Sequence, residues 1–192
     1  MVWSCLVSIL PGMAQTEKLT DYVNPFVGTD GYGNVYPGAQ IPFGGIQISP
    51  DTDSRFYDAA SGYKYNHLTL MGFSLTHLSG TGIPDLGDFL FIPGTGEMKL
   101  EPGTHEDPDQ GYRSRYSHDK EWASPNYYAV ELADYGVKAE MTSGVRSGMF
   151  RFTYPESDNA FIMIDMNHTL WQSCEWSNLR MINDSTITGY KL

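Results

Sequence analysis

Val137-Lys138-Ala139-Glu140-Met141-Thr142 alternates apolar and polar side chains without a break. Successive side chains of an extended chain point to opposite faces, so the run reads as a strand with one buried and one wet face. The period continues on both sides. Tyr128, Val130 and Leu132 alternate before it, and Phe150, Phe152 and Tyr154 alternate with Arg151 and Thr153 after it. Ala160 to Met166 is more continuously apolar and reads as a fourth, more buried strand. Asp134-Tyr135-Gly136 and Ser143-Gly144 are short enough for hairpins, and Pro155-Glu156-Ser157-Asp158-Asn159 is a longer polar turn. Strands this close, with no helical spacer, are expected to pair as an antiparallel meander. A meander with one apolar face needs a second sheet over it, so the expected fold is all-β, an antiparallel β-sandwich.

Upstream, Tyr22 to Pro93 is loop-heavy and rich in glycine. Phe43 to Ile48 and Met71 to Leu78 read as short strands, and Gly87 to Ile92 as a buried one, because its apolar run follows a glycine. Between them lie the loops Gly28-Thr29-Asp30-Gly31-Tyr32-Gly33-Asn34, Tyr36-Pro37-Gly38-Ala39 and Ser79-Gly80-Thr81-Gly82-Ile83-Pro84-Asp85. Loops on a rigid scaffold are where binding residues concentrate. Downstream, Ile187 to Leu192 reads as a strand with no closing turn after it, so the sandwich is expected to be incomplete at its C-terminal end.

A length of 192 residues suits one domain, and 41% hydrophobic with 18% charged residues marks a globular chain. Twenty glycines, eleven prolines and 14% aromatics fit many turns between strands. The net charge of −11 argues against nucleic acid and anionic membranes as partners, since phosphates need a basic patch. No apolar stretch approaches the roughly 20 residues of a membrane-spanning helix. Val2 to Leu10 is mostly apolar and Gly12-Met13-Ala14 offers a small-x-small cleavage site, so residues 1–14 resemble a signal peptide, although the first basic residue is Lys18. Export to the periplasm or the extracellular space follows. Once such a leader is removed, Cys174 remains without Cys5, and no intramolecular disulfide can form. There is no Cys-x-x-Cys pair and no Cys/His cluster of the kind that binds zinc.

The five histidines, His67, His77, His105, His118 and His168, are not spaced as metal ligands. His77 ends a strand beside the Ser79 to Asp85 loop, either hydrogen-bonded there or reaching a ligand hydroxyl at a pocket mouth. Asp85 and Asp88 lie three apart around Leu86-Gly87 and could bind calcium, hold sugar hydroxyls or act as an acid/base pair. As ordinary alternatives, one caps a turn and the other starts a strand. Asp51-Thr52-Asp53 lacks the glycine and distal glutamate of an EF-hand loop. The segment from Gly28 to Gly33 is no phosphate-binding loop, because no Gly-Lys-Ser/Thr follows it. No Gly-x-Ser-x-Gly elbow is present, so Ser79 is not read as a nucleophile. Tyr32, Tyr36, Tyr63, Tyr65, Trp171 and Trp176 are candidate stacking platforms for a sugar ring, though each could equally be core.

Three segments together resemble glycoside hydrolase family 92, the calcium-dependent exo-acting α-mannosidases. They are Val23-Asn24-Pro25-Phe26-Val27-Gly28-Thr29 with Tyr36-Pro37-Gly38-Ala39 and Ile41-Pro42-Phe43-Gly44; Gln47-Ile48-Ser49-Pro50-Asp51-Thr52; and Gly72-Phe73-Ser74-Leu75-Thr76-His77-Leu78-Ser79-Gly80-Thr81-Gly82 leading to Asp85-Leu86-Gly87-Asp88. Tyr127-Tyr128-Ala129-Val130 and Thr142 to Phe152 are also similar to the family's sandwich strands. The resemblance runs from about residue 20 to the end. It implies an N-terminal β-sandwich over residues 20–192 that packs on a C-terminal (α/α)6 barrel absent from this chain. It also implies hydrolysis of terminal α-linked mannose, α-1,2 above all, with inversion by two separated carboxylates. In the family those carboxylates belong to the barrel, so no catalytic residue is assigned here and the chain alone is expected to be inactive. Calcium is the implied cofactor, its ligands expected mostly outside this chain and unassigned within it. The substrate would be a mannose-containing glycan. The residues that would face it are Gly28, Thr29, Asp30 and Gly31 in one loop, and His77, Ser79, Gly80, Thr81, Gly82 and Asp85 in the other. A self-sufficient carbohydrate-binding module, or a sandwich that only makes partner contacts, would carry the same strands.

Overall fold

The computed structural model of the chain describes residues 17–54 and 59–192; the leader expected over residues 1–14, with Cys5, lies outside the described residues. The described strands, in chain order, are β1 (Ala39–Gln40), β2 (Gln47–Asp51), β3 (Thr69–Leu70), β4 (Gly72–Ser74), β5 (Leu90–Thr95), β6 (Ser114–Arg115), β7 (Glu121–Ser124), β8 (Tyr127–Leu132), β9 (Val137–Ser143), β10 (Gly148–Thr153), β11 (Ala160–Asp165), β12 (Ser177–Asn183) and β13 (Thr186–Lys191).

The alternation at Val137 to Thr142 does what its period dictates. Strands β7 to β10 form a four-stranded antiparallel sheet in the order β10-β9-β8-β7. Its register sets Tyr128 opposite Met141, Val130 opposite Ala139 and Leu132 opposite Val137, and on the other side Phe150 opposite Met141 and Phe152 opposite Ala139. All these side chains point to one face and enter one core cluster. The second sheet, in the order β1-β2-β4-β5-β11, covers that face. It contributes Ala39, Ile48 and Phe73 to the same cluster. The interior is strongly aromatic: Phe73 lies 6.4 Å from Phe150 and 6.3 Å from Phe152, and Phe91 lies 5.0 Å from Phe150. The fold is therefore the expected antiparallel β-sandwich.

Several details depart from the sequence reading. The strand expected over Met71 to Leu78 spans only Gly72–Ser74, and β11, expected to be more buried than the meander, is partly exposed along its length. The strand expected over Phe43 to Ile48 begins at Gln47, and Phe43 is fully exposed with φ +60°. The buried strand expected from Gly87 starts at Leu90. Its continuous apolar run has a clear cause: Phe91 faces the inter-sheet core, while Leu90 and Ile92 join Met71 and Tyr112 in a second cluster. Lastly, β11 is not the fourth strand of the meander. The polar stretch Pro155 to Asn159 carries the chain across the open end of the sandwich, where β11 pairs with β5. Gly94 makes the crossing fit, since a Cβ there would sit 2.5 Å from the ring of Phe161, its cross-strand partner. The Tyr154 hydroxyl then donates to the Phe161 carbonyl at 2.8 Å and holds the corner. On the sandwich's five-stranded side, β12 and β13 form a separate and largely exposed hairpin.

Candidate functional site

Strand β2 ends in Asp51, and the chain continues through Thr52 and Asp53 with all three residues buried. This short segment organises four of the five histidines. The two oxygens of the Asp51 carboxylate each accept a hydrogen bond at 2.7 Å, Oδ1 from His77 Nε2 and Oδ2 from His168 Nε2. The Thr52 hydroxyl meets His67 Nδ1 at 2.9 Å, and the Asp53 carboxylate meets His105 Nε2 at 3.0 Å. The fifth histidine, His118, pairs with Glu121 at 2.6 Å, and the hydroxyls of Tyr63 and Tyr128 donate to the same carboxylate. Buried carboxylates survive only with such partners. Burial by itself would raise the Asp51 carboxyl; the charge of His77 and the hydrogen bonds from both histidines outweigh it and hold it well below the ordinary carboxylate range. Gly62, at φ +82°, lies so close that a Cβ there would stand 2.1 Å from Asp51 Oδ1. Only glycine leaves the carboxylate its place.

Of the two readings of His77, hydrogen-bonded beside its loop or reaching a ligand hydroxyl, the structure has the first. Its ring is buried, with Nδ1 2.7 Å from the Gln47 carbonyl and Nε2 on Asp51. Both ring nitrogens face oxygen atoms, with the Ser74 hydroxyl also 3.0 Å from Nε2. His77 thus ties β2 to the loop that follows it, and leaves the outward contacts to its neighbours.

Those neighbours form one exposed edge. The two glycine-bearing loops meet where the Gly80 amide donates to the Asn34 carbonyl at 2.7 Å, and Tyr36 packs on His77 with ring centroids 5.1 Å apart. In the first loop, Gly28, Asp30 and Gly31 are exposed, and Thr29 is buried with its hydroxyl donating to the Phe26 carbonyl. The loop closes tightly: a Cβ on Gly33 would lie 2.1 Å from the Gly28 carbonyl oxygen. Lys64 Nζ reaches the Gly31 carbonyl at 3.2 Å and fixes its outer arm. In the second loop Ser79, Gly80 and Asp85 are exposed, and Thr81 and Gly82 are half-buried. Asp85 and Asp88 serve different partners. Asp85 Oδ1 accepts from the Leu86 amide, whereas Asp88 is paired with Lys191 Nζ at 2.9 Å and accepts from Thr76.

A cleft of about 530 Å³ opens beside the buried histidine pair, lined among others by Tyr112, Asp165, Asn167, His168, Trp171 and Gln172. Of these, Trp171 alone is among the six aromatics that the sequence offers as stacking platforms. The other five aromatics are placed differently. Tyr36 and Tyr63 are core, Tyr65 stacks on His118 at 3.9 Å, Trp176 packs on Tyr190 at 5.0 Å, and Tyr32 stands exposed on the first glycine loop. No signal in the sequence links Asp51 to His168, which are 117 residues apart.

Chemically the arrangement can bind neutral polar groups, through backbone amides and small side chains at the loop edge and amides around an indole in the cleft. Calcium needs about six to eight oxygen ligands. Among the described residues no group of three or more His, Cys, Asp or Glu converges as a metal site. Asp51, Asp53 and Asp88 are each committed to protein partners. These residues thus offer the ion no cage of their own.

The chain has relatives among known proteins. Residues 22–192 match the glycosyl hydrolase family 92 N-terminal domain. An uncharacterized secreted glycosidase of Arthroderma benhamiae is 30% identical over 139 residues, covering 71% of this chain and 17% of the relative. The structure of the GH92 family glycosyl hydrolase CcMan5 superposes with a TM-score of 0.72 at 30% identity, over 88% of this chain and 23% of that one. The family GH92 inverting mannosidase of Bacteroides thetaiotaomicron gives a TM-score of 0.63 at 28% identity, over 78% and 20% of the two chains. The chain therefore spans about a fifth of the length of these relatives.

Proposed function

The chain belongs to glycoside hydrolase family 92, as an N-terminal domain of that family, and from this premise we propose that it forms the sugar-facing wall of an exported α-mannosidase. The observation that carries the reading is the junction of the two glycine loops, made by the Gly80 to Asn34 hydrogen bond. It joins the loop with exposed Gly28, Asp30 and Gly31 to the loop with exposed Ser79, Gly80 and Asp85 and half-buried Thr81 and Gly82, beside buried Thr29 and His77 on Asp51, which supports a shared binding role. Glycines let the backbone come close to a ligand, and exposed amides and carboxylates suit sugar hydroxyls.

In this reading the substrate is a glycan ending in α-linked mannose, α-1,2 above all. The acid and base carboxylates of an inverting hydrolysis, and most calcium ligands, come from a second, helical domain packed against this edge. The chain on its own binds and does not cleave. The fungal relative is described as secreted, which supports export. The bacterial relative is described as an inverting mannosidase, which supports inversion.

The test is a hydrolysis assay on α-1,2-mannobiose, followed by proton NMR of the released sugar. Protein carrying both domains should release mannose first as the β-anomer, in a reaction stopped by a chelator and restored by calcium. The 192-residue chain should show no turnover. Chelator-sensitive turnover by this chain alone, or no action of the two-domain protein on any α-mannoside, would overturn the proposal.

A further inference from the structure

The cleft beside Trp171 has three features that the loop edge does not explain. First, Trp171 is 59% exposed and adopts φ +75°, held by its amide's hydrogen bond to the Ser54 carbonyl. A bulky side chain in the left-handed region is strained, and such strain persists where surrounding structure or function demands it. Second, the His168 side chain is only 4% exposed and lines the cleft. Its Nε2 is fixed on Asp51, while its Nδ1 has no partner among the described residues. With Nε2 held, Nδ1 is the ring atom left for a ligand hydroxyl or amide in the cleft. Third, among the described residues the lining carries one carboxylate, Asp165, and the amides of Asn167 and Gln172. A carboxylate beside two amides suits the hydroxyls of a neutral ligand. The volume of about 530 Å³ falls inside the ordinary range for small-molecule sites.

We propose that this cleft is a saccharide-binding subsite, in which the Trp171 indole stacks on the apolar face of a neutral pyranoside while His168, Asn167 and Asp165 engage its hydroxyls. The inference rests on the carbohydrate reading above and extends it to a second region of the domain. Asp51 links the two regions physically. One of its oxygens holds His77 behind the Ser79 to Asp85 loop, and the other holds His168 at the cleft.

Titration of the 15N-labelled 192-residue chain with methyl α-D-mannopyranoside and with α-1,2-mannobiose tests it, with the Trp171 indole and Asn167 amide resonances as readouts. Both should shift and saturate. Trp171→Gly keeps a residue suited to the left-handed backbone and removes the platform, so the fold should survive while affinity drops roughly tenfold. Trp171→Phe, which keeps an aromatic face, should recover most of the binding. Shifts confined to residues 28–34 and 79–85, with Trp171 unmoved, would sink the subsite and leave the proposed function standing. Saturable shifts at Trp171 from a mannoside or a methyl glucoside, combined with no mannoside hydrolysis by the two-domain protein, would uphold the subsite and sink the mannosidase reading. No saturable binding of any of these sugars at Trp171 would overturn it.

Discussion

Asp51 is the residue on which most depends, because one buried carboxylate serves two histidines from distant parts of the chain. Asp51→Asn keeps the size but removes the charge and one of the two acceptors. Breaking a buried pair costs about 3 kcal/mol or more, so the urea midpoint of the Asn variant should fall steeply. Asp85→Asn, on an exposed loop, should leave the midpoint unchanged. The same carboxylate gives the fold an acid limit. Its folded-state pKa is depressed, so below the ordinary carboxylate range the unfolded chain binds more protons than the folded one. The stabilisation is complete above that range and lost as pH falls through and below it. Thermal melts from pH 6 down to the acid range (about 4 and lower) should show a falling midpoint for the natural chain. The Asp51→Asn variant should start lower and fall less; parallel curves would remove Asp51 from this role.

At the scale of the element, two glycines in neighbouring loops make opposite forecasts. A Cβ on Gly38 would lie 2.0 Å from the Ile48 carbonyl oxygen, backbone against backbone, just where β1 joins β2. No side-chain movement relieves that, so Gly38→Ala should cost about 2 kcal/mol or more in chemical denaturation. Gly80 has open space around its missing Cβ and only its φ of +73° against substitution. Gly80→Ala should therefore cost roughly 1 kcal/mol and leave the sheets intact. A Gly80 variant as damaging as the Gly38 one would mean that the second loop is packed more tightly than its geometry indicates.

For the molecule as a whole, stability should grade from the inter-sheet core outward. Strands β8 and β9 lie inside the four-stranded sheet, with Tyr128, Val130, Ala139 and Met141 buried against the opposite sheet. The hairpin β12–β13 pairs only with itself and is mostly exposed. Local opening is cheapest where few apolar contacts are lost. Amide hydrogen exchange should accordingly be slowest at Val130, Ala139 and Met141 and far faster throughout residues 177–191. Equal protection in the hairpin and in β9 would contradict this gradient.

What is local and periodic could be read from the residues alone. The two-residue alternation of Val137 to Thr142 and its neighbours specified strands, their inward faces and the need for a covering sheet, because burial of one face is a property of each strand alone. The glycine loops were legible for the same reason, since their residue types restrict the backbone directly. The family was also legible, in contiguous motifs. Tertiary structure alone decided which edge β11 joins, because an open sheet edge on either side of the core satisfies its backbone equally well until Gly94 makes room for Phe161. It alone brought His77 and His168 to Asp51, across separations of 26 and 117 residues. It alone set the second nitrogen of His168 in the cleft beside an exposed tryptophan. Hydrogen bonding between residues far apart in the chain leaves no period and no spacing in a sequence; it is fixed only when the sheets pack and the polar groups caught between them must find partners.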